Sequence, residues 1–154
     1  MTIVGLISDT HGLLRTEAAK ALTGVDQIVH AGDVGAPEIL DQLRKIAPLT
    51  AVRGNVDAGN WASSLPVDAV LSVEGYEIYV LHILSEIEID PNAAAMTAVI
   101  SGHTHKPLIE TKSGVLYINP GSAGPRRFSL PVSLGFLRLE EDKPPEAWIQ
   151  TLDI

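Results

Sequence analysis

Short β-type runs and helical segments alternate through the first half of the sequence, and this order constrains the fold more than any other feature. The predicted elements are strands at residues 2–7, 27–30 and 49–52 and helices at residues 16–22 and 37–46. A strand–helix–strand order favours parallel strands, because the crossover helix returns the chain to the same end of the sheet. The first half therefore predicts an α/β fold.

The second half of the sequence is rich in β-type runs. Two pairs of runs flank the turn sequences Glu74-Gly75 and Ser113-Gly114, and each pair is typical of a hairpin. With the first half, these runs predict two sheets packed face to face with helices outside. No linker or repeat divides the chain, so we expect a single domain over residues 1–154. The predicted elements are strands at residues 67–73, 76–82, 98–100, 108–111, 115–119, 132–139 and 147–152 and a short helix at residues 93–96.

The composition excludes several classes of protein. Apolar residues make up 45% of the chain, which argues against global disorder. No apolar run reaches the ~18 residues of a membrane helix. The absence of cysteine excludes disulfides, thiolate nucleophiles and sulfur-ligated zinc. The formal net charge of −8 argues against stable nucleic-acid binding, which needs a basic surface. Residues 1–4 lack the features of a signal peptide, and we expect a cytoplasmic protein.

Polar clusters follow four of the predicted strands. In open parallel sheets the ligand crevice lies beyond the carboxyl ends of the strands, so four such clusters are expected to converge. The glycines within them let the backbone approach a bound group closely. The clusters are Asp9-Thr10-His11, Gly32-Asp33, Gly54-Asn55-Val56-Asp57 and Gly102-His103-Thr104-His105.

The residue types in these clusters indicate a metal site. In an extended chain, residues i and i+2 point the same way, so the Asp-x-His and His-x-His pairs are each expected to face one centre. Carboxylate, imidazole and amide donors suit Mn, Fe, Zn, Co or Ni. Taken alone, Asp9 is explained equally well as a helix cap, and Gly32-Asp33 and Asn55 are explained better as turns, whereas the Gly-His-Thr-His cluster is more specific. All five histidines, however, lie at or just beyond predicted strand ends, beside the aspartates and Asn55, and this coincidence favours metal binding.

Other enzyme classes with similar motifs do not fit the sequence. Haloacid-dehalogenase phosphatases carry an Asp-x-Asp motif, whereas here His11 stands in place of the second aspartate. Amidohydrolases open with a His-x-His pair but need a barrel of about 250 residues. The sequence also lacks a P-loop, a Gly-x-Ser-x-Gly elbow and a His-Glu-x-x-His helix.

Taken in order, the motifs resemble those of the calcineurin-like metallophosphoesterase superfamily, in particular its small YfcE-type phosphodiesterase branch. The resemblance runs from the first strand to about residue 126. It implies an α/β fold of four layers, an α-β-β-α sandwich. The matching motifs are Ser8-Asp9-Thr10-His11-Gly12, His30-Ala31-Gly32-Asp33, Arg53-Gly54-Asn55-Val56-Asp57, Leu81-His82, Ser101-Gly102-His103-Thr104-His105 and Asn119-Pro120-Gly121-Ser122.

The resemblance also implies a centre of two divalent ions, with Mn as the favoured metal and Fe, Ni, Co or Zn as alternatives. A hydroxide between the ions would attack the phosphorus, because two cations lower the pKa of bound water and clamp the attacking and leaving oxygens. Asp33 would bridge the ions, and the residues assigned to catalysis are Asp33, Asn55 and His82. The other implied ligands are Asp9, His11 and His105 for one ion and Asn55, His82 and His103 for the second.

Three departures from the family pattern affect these expectations. Val56 stands where many larger relatives have a histidine that assists the leaving group, which shifts the expected substrate from a monoester toward a diester. Ile83 follows His82 where the family usually has glycine, and we expect it to restrict the backbone and tilt His82. The segment 83–97 either repels nucleotides or recruits cations at the mouth of the site, or it forms a solvated loop. Its acidic residues are Glu86, Glu88 and Asp90.

The sequence thus predicts a metal-dependent phosphodiesterase acting on a small phosphodiester. Guanidinium groups fit phosphate oxygens, and the candidates for substrate binding are Arg53, Arg126 and Arg127. The alternatives are a phosphomonoesterase and a non-catalytic interaction module similar to the small retromer subunit, which resembles the same family. No membrane partner is expected, and exposed β edges favour a homodimer.

Overall fold

Two mixed β-sheets of five strands each form the centre of the molecule, and the computed structural model describes all of residues 1–154. This architecture confirms the predicted α/β class and the two packed sheets. The strands are β1 (Thr2–Ile7), β2 (Gln27–His30), β3 (Leu49–Ala51), β4 (Asp68–Val73), β5 (Tyr76–Leu81), β6 (Ala98–Ile100), β7 (Leu108–Lys112), β8 (Val115–Asn119), β9 (Ser133–Leu139) and β10 (Glu146–Thr151). The helices are α1 (Thr16–Ala21), α2 (Pro37–Arg44) and α3 (Asn60–Ser63), with a 3-10 turn at Leu84–Glu86.

Each sheet contains three neighbouring parallel strands. The first sheet has the order β10-β9-β1-β2-β3, in which β1, β2 and β3 are parallel. The second sheet has the order β4-β5-β6-β8-β7, in which β5, β6 and β8 are parallel. Ile7, His30 and Ala51 stand side by side in the first sheet, so β1, β2 and β3 end at the same level. The loops that follow them therefore leave from one edge of the molecule.

Residues of β1 alternate between the two faces of the first sheet. Val4 and Leu6 are buried between the sheets, and Ile7 faces the core beneath α1 and α2. Gly5 shares the helix-facing side, where a Cβ would stand 2.4 Å from Leu22 Cδ2. A side chain at position 5 would thus push α1 away from the sheet.

The outer face of the second sheet has a thinner cover than the expected helical layer. Tyr79 and Leu81 are buried on this face, and the apolar side chains packed against them come from the irregular segment around Ile87 and Met96. The fourth layer of the sandwich is therefore a single irregular segment, residues 84–96, which we call the strap. By contrast, α1 and α2 cover the first sheet.

The helix predicted at residues 93–96 is wrong. Asp90 Oδ1 accepts hydrogen bonds from the backbone N–H groups of Asn92 and Ala93, which fixes a turn after Pro91. Ala95 then adopts a left-handed φ of 58°, which a continuing helix does not allow. Local side-chain hydrogen bonding has overridden the helical propensity of the alanine run.

No helix in the structure is long and apolar enough to cross a lipid bilayer.

Candidate metal centre

The seven candidate ligands lie beyond the carboxyl ends of β1, β2, β3, β5 and β6, where the two sheets share an edge. Six of them form two groups of three, and within each group one ligand atom from each residue lies within 4.8 Å of the others. The first group is Asp9, His11 and His105, and the second group is Asp33, His82 and His103. Asn55 adjoins the second group, since its Oδ1 lies 3.1 Å from His103 Nδ1.

The carboxylates of Asp9 and Asp33 connect the two groups. Asp9 Oδ1 lies 3.3 Å from His105 Nε2 in the first group and 3.9 Å from His82 Nε2 in the second. Asp33 Oδ2 lies 3.1 Å from His82 Nε2 and 3.7 Å from His11 Nε2. Asp33 is thus placed between the groups, as a bridging ligand requires.

Each of these carboxylates binds the protein with one oxygen and turns the other toward the site. Asp9 Oδ2 accepts hydrogen bonds from the Ser8 hydroxyl at 2.7 Å and the His103 backbone N–H at 3.1 Å. Asp33 Oδ1 accepts one from the Val56 backbone N–H at 3.0 Å. The remaining oxygens, Asp9 Oδ1 and Asp33 Oδ2, are therefore fixed in direction and available to a cation.

Several buried polar atoms of the site have no hydrogen-bond partner. Burying such atoms without a partner costs free energy, so a cluster of them indicates a missing group. His82 Nε2 is among them, because its approach to Asp33 is close but lacks the alignment of a hydrogen bond. Divalent cations would satisfy this donor set of imidazole nitrogens and carboxylate oxygens. The atoms are Asp9 Oδ1, His11 Nε2, His82 Nε2 and His105 Nδ1.

The backbone at the site is left-handed rather than extended, so an extended i, i+2 spacing is not the reason that the ligands converge. Five of the seven candidate ligands have φ between 47° and 73°, a region that non-glycine residues rarely adopt. Such conformations cluster at functional sites, where the surrounding fold imposes them. The five are Asp9, His11, Asp33, His103 and His105.

Two glycines allow the loops of the site to approach each other. Gly32 has φ of 101°, and a Cβ there would stand 2.7 Å from His82 Nδ1. At Gly54 a Cβ would stand 2.1 Å from both the backbone nitrogen and Oδ1 of Asp33. A side chain at either position would displace a candidate ligand.

His82 is firmly held, and the expectation that Ile83 tilts it away is not met. Ile83 has φ of −109° and ψ of 107°, an extended conformation that suits a β-branched residue. The His82 ring is buried, and its Nδ1–H donates to the Ala31 carbonyl at 2.7 Å. This bond directs the Nε2 lone pair into the site, as is usual for metal-binding histidines.

His30 and Asp57 support the site without entering it, and their positions in the quoted motifs were the only sequence signal for them. The Gly32 N–H donates to His30 Nδ1, so the fully buried ring carries its proton on Nε2, which contacts the Thr10 hydroxyl at 2.9 Å. Burial lowers the pKa of His30 to about 4 and keeps the ring neutral. Asp57 accepts the backbone N–H groups of Val34, Gly35 and Gly54, which ties the Asp33 loop to the Asn55 loop.

The Asn119–Ser122 turn, quoted in the resemblance, packs against the same loops. Asn119 Nδ2 donates to the Gly102 carbonyl, and the Ser122 hydroxyl donates to the Asp9 carbonyl. These bonds fix the loops that carry the His-x-His and Asp-x-His pairs.

The charges of the site favour a bound cation. Burial opposes ionisation of Asp9, but contacts with His11 and the Ser8 hydroxyl outweigh it, and the pKa of Asp9 lies below its usual value. Burial likewise opposes ionisation of Asp33, but contact with His82 lowers the pKa overall. For His105, burial lowers the pKa and favours the neutral, ligating form. Both carboxylates are thus anionic at neutral pH.

The three candidate arginines lie in different places. Arg53 lines a cavity of about 710 Å³ that also reaches Asn55 and His82. Arg127 is exposed but close enough to His105 and His11 to oppose their protonation. Arg126 is exposed next to it. Arg53 and Arg127 therefore flank the two ligand groups on different sides.

The acidic segment after His82 is divided between two places. Glu86 and Glu88 line the same cavity as Arg53, while Asp90 caps the turn described above. Asp68 and Tyr79, from the paired strands β4 and β5, also line this cavity, and no sequence motif indicated that they would meet the site.

Comparison with known proteins identifies the family. The calcineurin-like phosphoesterase superfamily domain matches residues 1–142. A probable metallophosphoesterase of Methanocaldococcus jannaschii is 36% identical over 133 residues, covering 78% of this chain and 67% of the relative. Among solved structures, an archaeal phosphodiesterase superposes with a TM-score of 0.78 at 22% identity, over 96% of this chain and 99% of that one. Vps29 from Chaetomium thermophilum superposes with a TM-score of 0.79 at 19% identity, over 99% and 100%.

The two structural matches establish the shared fold, and the match over residues 1–142 establishes the descent. The chain belongs to the calcineurin-like phosphoesterase superfamily.

Proposed function

We propose that this protein is a metal-dependent phosphodiesterase with a centre of two divalent ions. The observation that supports this most strongly is the set of three unpartnered, buried atoms, Asp9 Oδ1, His11 Nε2 and His82 Nε2, that converge where the two sheets meet. In a scaffold that binds no metal, burying these atoms without partners would cost free energy that nothing offsets.

The seven candidate residues would hold the ions as the family resemblance implies. Asp33 would contact both ions, because its free Oδ2 lies between His11 and His82. When bound, two divalent ions supply an activated water and neutralise charge on the phosphoryl oxygens. We propose Mn²⁺ as the ion, with Fe, Ni, Co and Zn as alternatives compatible with the donor set. The remaining ligands would be Asp9, His11 and His105 for one ion and Asn55, His82 and His103 for the other.

The chain's own residues would orient the substrate. Arg53 makes no ion pair within the protein, so its guanidinium is free to bind a phosphate oxygen beside Asn55 and His82. Arg127 offers a second cation beside His11 and His105, with Arg126 next to it.

Two features favour a diester over a monoester. Val56, next to Asn55, has no proton to give to a departing alkoxide. The cavity beside the site contains three carboxylates, which disfavour a monoester dianion more than a diester with a single charge. The archaeal structural neighbour is itself described as a phosphodiesterase.

Hydrolysis of bis-p-nitrophenyl phosphate tests the proposal. We expect turnover with Mn²⁺ that stops when a chelator is added, and a lower kcat/KM for p-nitrophenyl phosphate measured in parallel. Inactivity on the diester across Mn, Ni, Co, Fe and Zn would refute the proposal. Faster hydrolysis of the monoester would support the phosphomonoesterase alternative.

The likeness to Vps29 motivates a second candidate, a non-catalytic interaction module. Metal analysis separates the two functions, because a catalytic centre of this kind requires both ions. We expect two ions per chain after loading with Mn²⁺, whereas less than one ion per chain would favour the interaction module.

A further inference from the structure

The cavity of about 710 Å³ beside the candidate metal centre is lined by groups of both charges. Asn55 and His82 connect it to the metal centre, and Arg53 is its only arginine or lysine. Three carboxylates, Asp68, Glu86 and Glu88, also line it, and we call them the acidic wall. A ligand that fills the cavity therefore meets the metal-binding groups and an excess of negative charge.

The acidic wall is partly fixed by the fold. Tyr79 is buried, and its hydroxyl donates to Asp68 Oδ2 at 2.6 Å. Burial and the neighbouring Asp68 raise the pKa of Tyr79 to about 12, so the hydroxyl keeps the proton it donates. Arg53 pairs with none of the three carboxylates, which leaves their charge uncompensated within the protein.

The cavity is continuous with the reacting centre through His82. This side chain is 4% exposed and lines the cavity, and its Nε2 has no hydrogen-bond partner. A phosphoryl group bound at the metal centre would thus place one of its ester substituents along the acidic wall.

We propose that this cavity selects phosphodiesters in which one ester substituent carries a positive charge, as in the ester of an amino alcohol or a quaternary ammonium alcohol. The inference rests on the proposed phosphodiesterase function. The phosphate would lie at the metal centre, beside Asn55 and His82, and the ammonium group would lie against Asp68, Glu86 and Glu88. A substituent with a second negative charge, such as a further phosphate, would be repelled by the same wall.

A pair of substrates that differ only in this charge tests the proposal. The p-nitrophenyl ester of phosphocholine and its isostere, p-nitrophenyl 3,3-dimethylbutyl phosphate, share the leaving group and the shape of the alcohol. Because each partly solvated ion pair contributes modestly, three carboxylates together are expected to favour the choline ester by about tenfold in kcat/KM with Mn²⁺. Calorimetric titration of both esters in the presence of chelator gives a second readout that does not depend on turnover, and the same order of affinity is expected.

Charge-neutralising variants locate the preference. Glu86→Gln with Glu88→Gln should reduce the choline preference to about threefold or less, because one carboxylate remains. The matched control is Glu17→Gln with Glu141→Gln, two exposed residues outside the cavity, which changes the net charge equally and should keep the full preference.

The outcomes separate this proposal from the proposed function. Hydrolysis of both esters at equal rates, or a preference that survives in the cavity variant, would overturn the cavity proposal and leave the phosphodiesterase intact. If neither ester is hydrolysed, the proposed function fails, and the titration alone decides whether the cavity binds the cationic ester more tightly. Equal or undetectable binding of both esters in that titration would overturn the cavity proposal.

Discussion

The two groups of candidate ligands are built differently, although they share an edge of the molecule. Each group has two buried members, and left-handed backbone occurs in both. The third member of the first group, His11, is half-buried, whereas the third member of the second group, His103, is exposed, and His82 and Asn55 line the large cavity. The first group is therefore the more enclosed part of the site, and the second group is where a substrate would enter.

This difference in exposure separates two tasks, which are holding an ion and admitting a substrate. Enclosed ligand side chains favour tight and specific binding of an ion, because little freedom is lost when the ion binds. Ligands at the cavity leave room for a phosphoryl oxygen. We therefore expect the ion of the first group to bind more tightly than the ion of the second, with Asp33 coupling the two.

The largest effect is expected from Asp33→Asn, which removes the charge shared between the groups. Hydrolysis of bis-p-nitrophenyl phosphate should fall by about a thousandfold, equivalent to about 4 kcal/mol of transition-state stabilisation. Metal content per chain should also fall. Asp41→Asn, on the exposed face of α2, is the matched control and should retain full activity. Normal turnover in the Asp33 variant would exclude the bridging role.

A smaller and more selective effect is expected from Gly32→Ala. The added Cβ would overlap the His82 ring, so the second ion should bind about 10-fold to 100-fold more weakly while the first is retained. Gly24→Ala is the control, because Gly24 has a similar φ of 90° with no atom within 4 Å of the added Cβ. Titration with Mn²⁺ measures both sites. Equal weakening of both ions would show that the two groups do not differ as described.

The smallest effect is expected from Asp57→Asn, which weakens the hydrogen bonds that tie the Asp33 loop to the Asn55 loop. One oxygen of Asp57 accepts two of its three backbone hydrogen bonds and the other oxygen accepts the third, so an amide nitrogen in place of either oxygen loses at least one of them. The free energy of unfolding should fall by about 1–3 kcal/mol, as measured by urea denaturation. Asp26→Asn, where a single exposed bond to Ile3 is affected, should change it by about 0.5 kcal/mol or less. An equally small change in both variants would contradict the supporting role of Asp57.

The sequence predicts the elements that depend on local pattern and misses those that depend on tertiary context. β1, β2 and β8 have the predicted bounds because short apolar runs end at clear turn signals. The helix expected at residues 93–96 fails because the Asp90 side chain fixes a turn. The four-residue helix α3 was not predicted, since so short an element has no periodicity to detect.

In the candidate site, too, the sequence predicts what depends on local pattern and misses what depends on tertiary contacts. Its ligands are recognisable because they follow strand ends in short motifs, but their left-handed backbone is imposed by contacts between loops far apart in sequence. The bond from Tyr79 to Asp68 depends on the pairing of β4 with β5, and the meeting of that pair with Glu86 and Glu88 depends on the strap that crosses the second sheet. No local motif marks such a wall.

Anomalous scattering from crystals loaded with Mn²⁺ tests the central claim most directly. Two peaks are expected in each chain, one among Asp9, His11 and His105 and one among Asn55, His82 and His103, with Asp33 contacting both. A single peak, or peaks away from these residues, would contradict the two-ion centre.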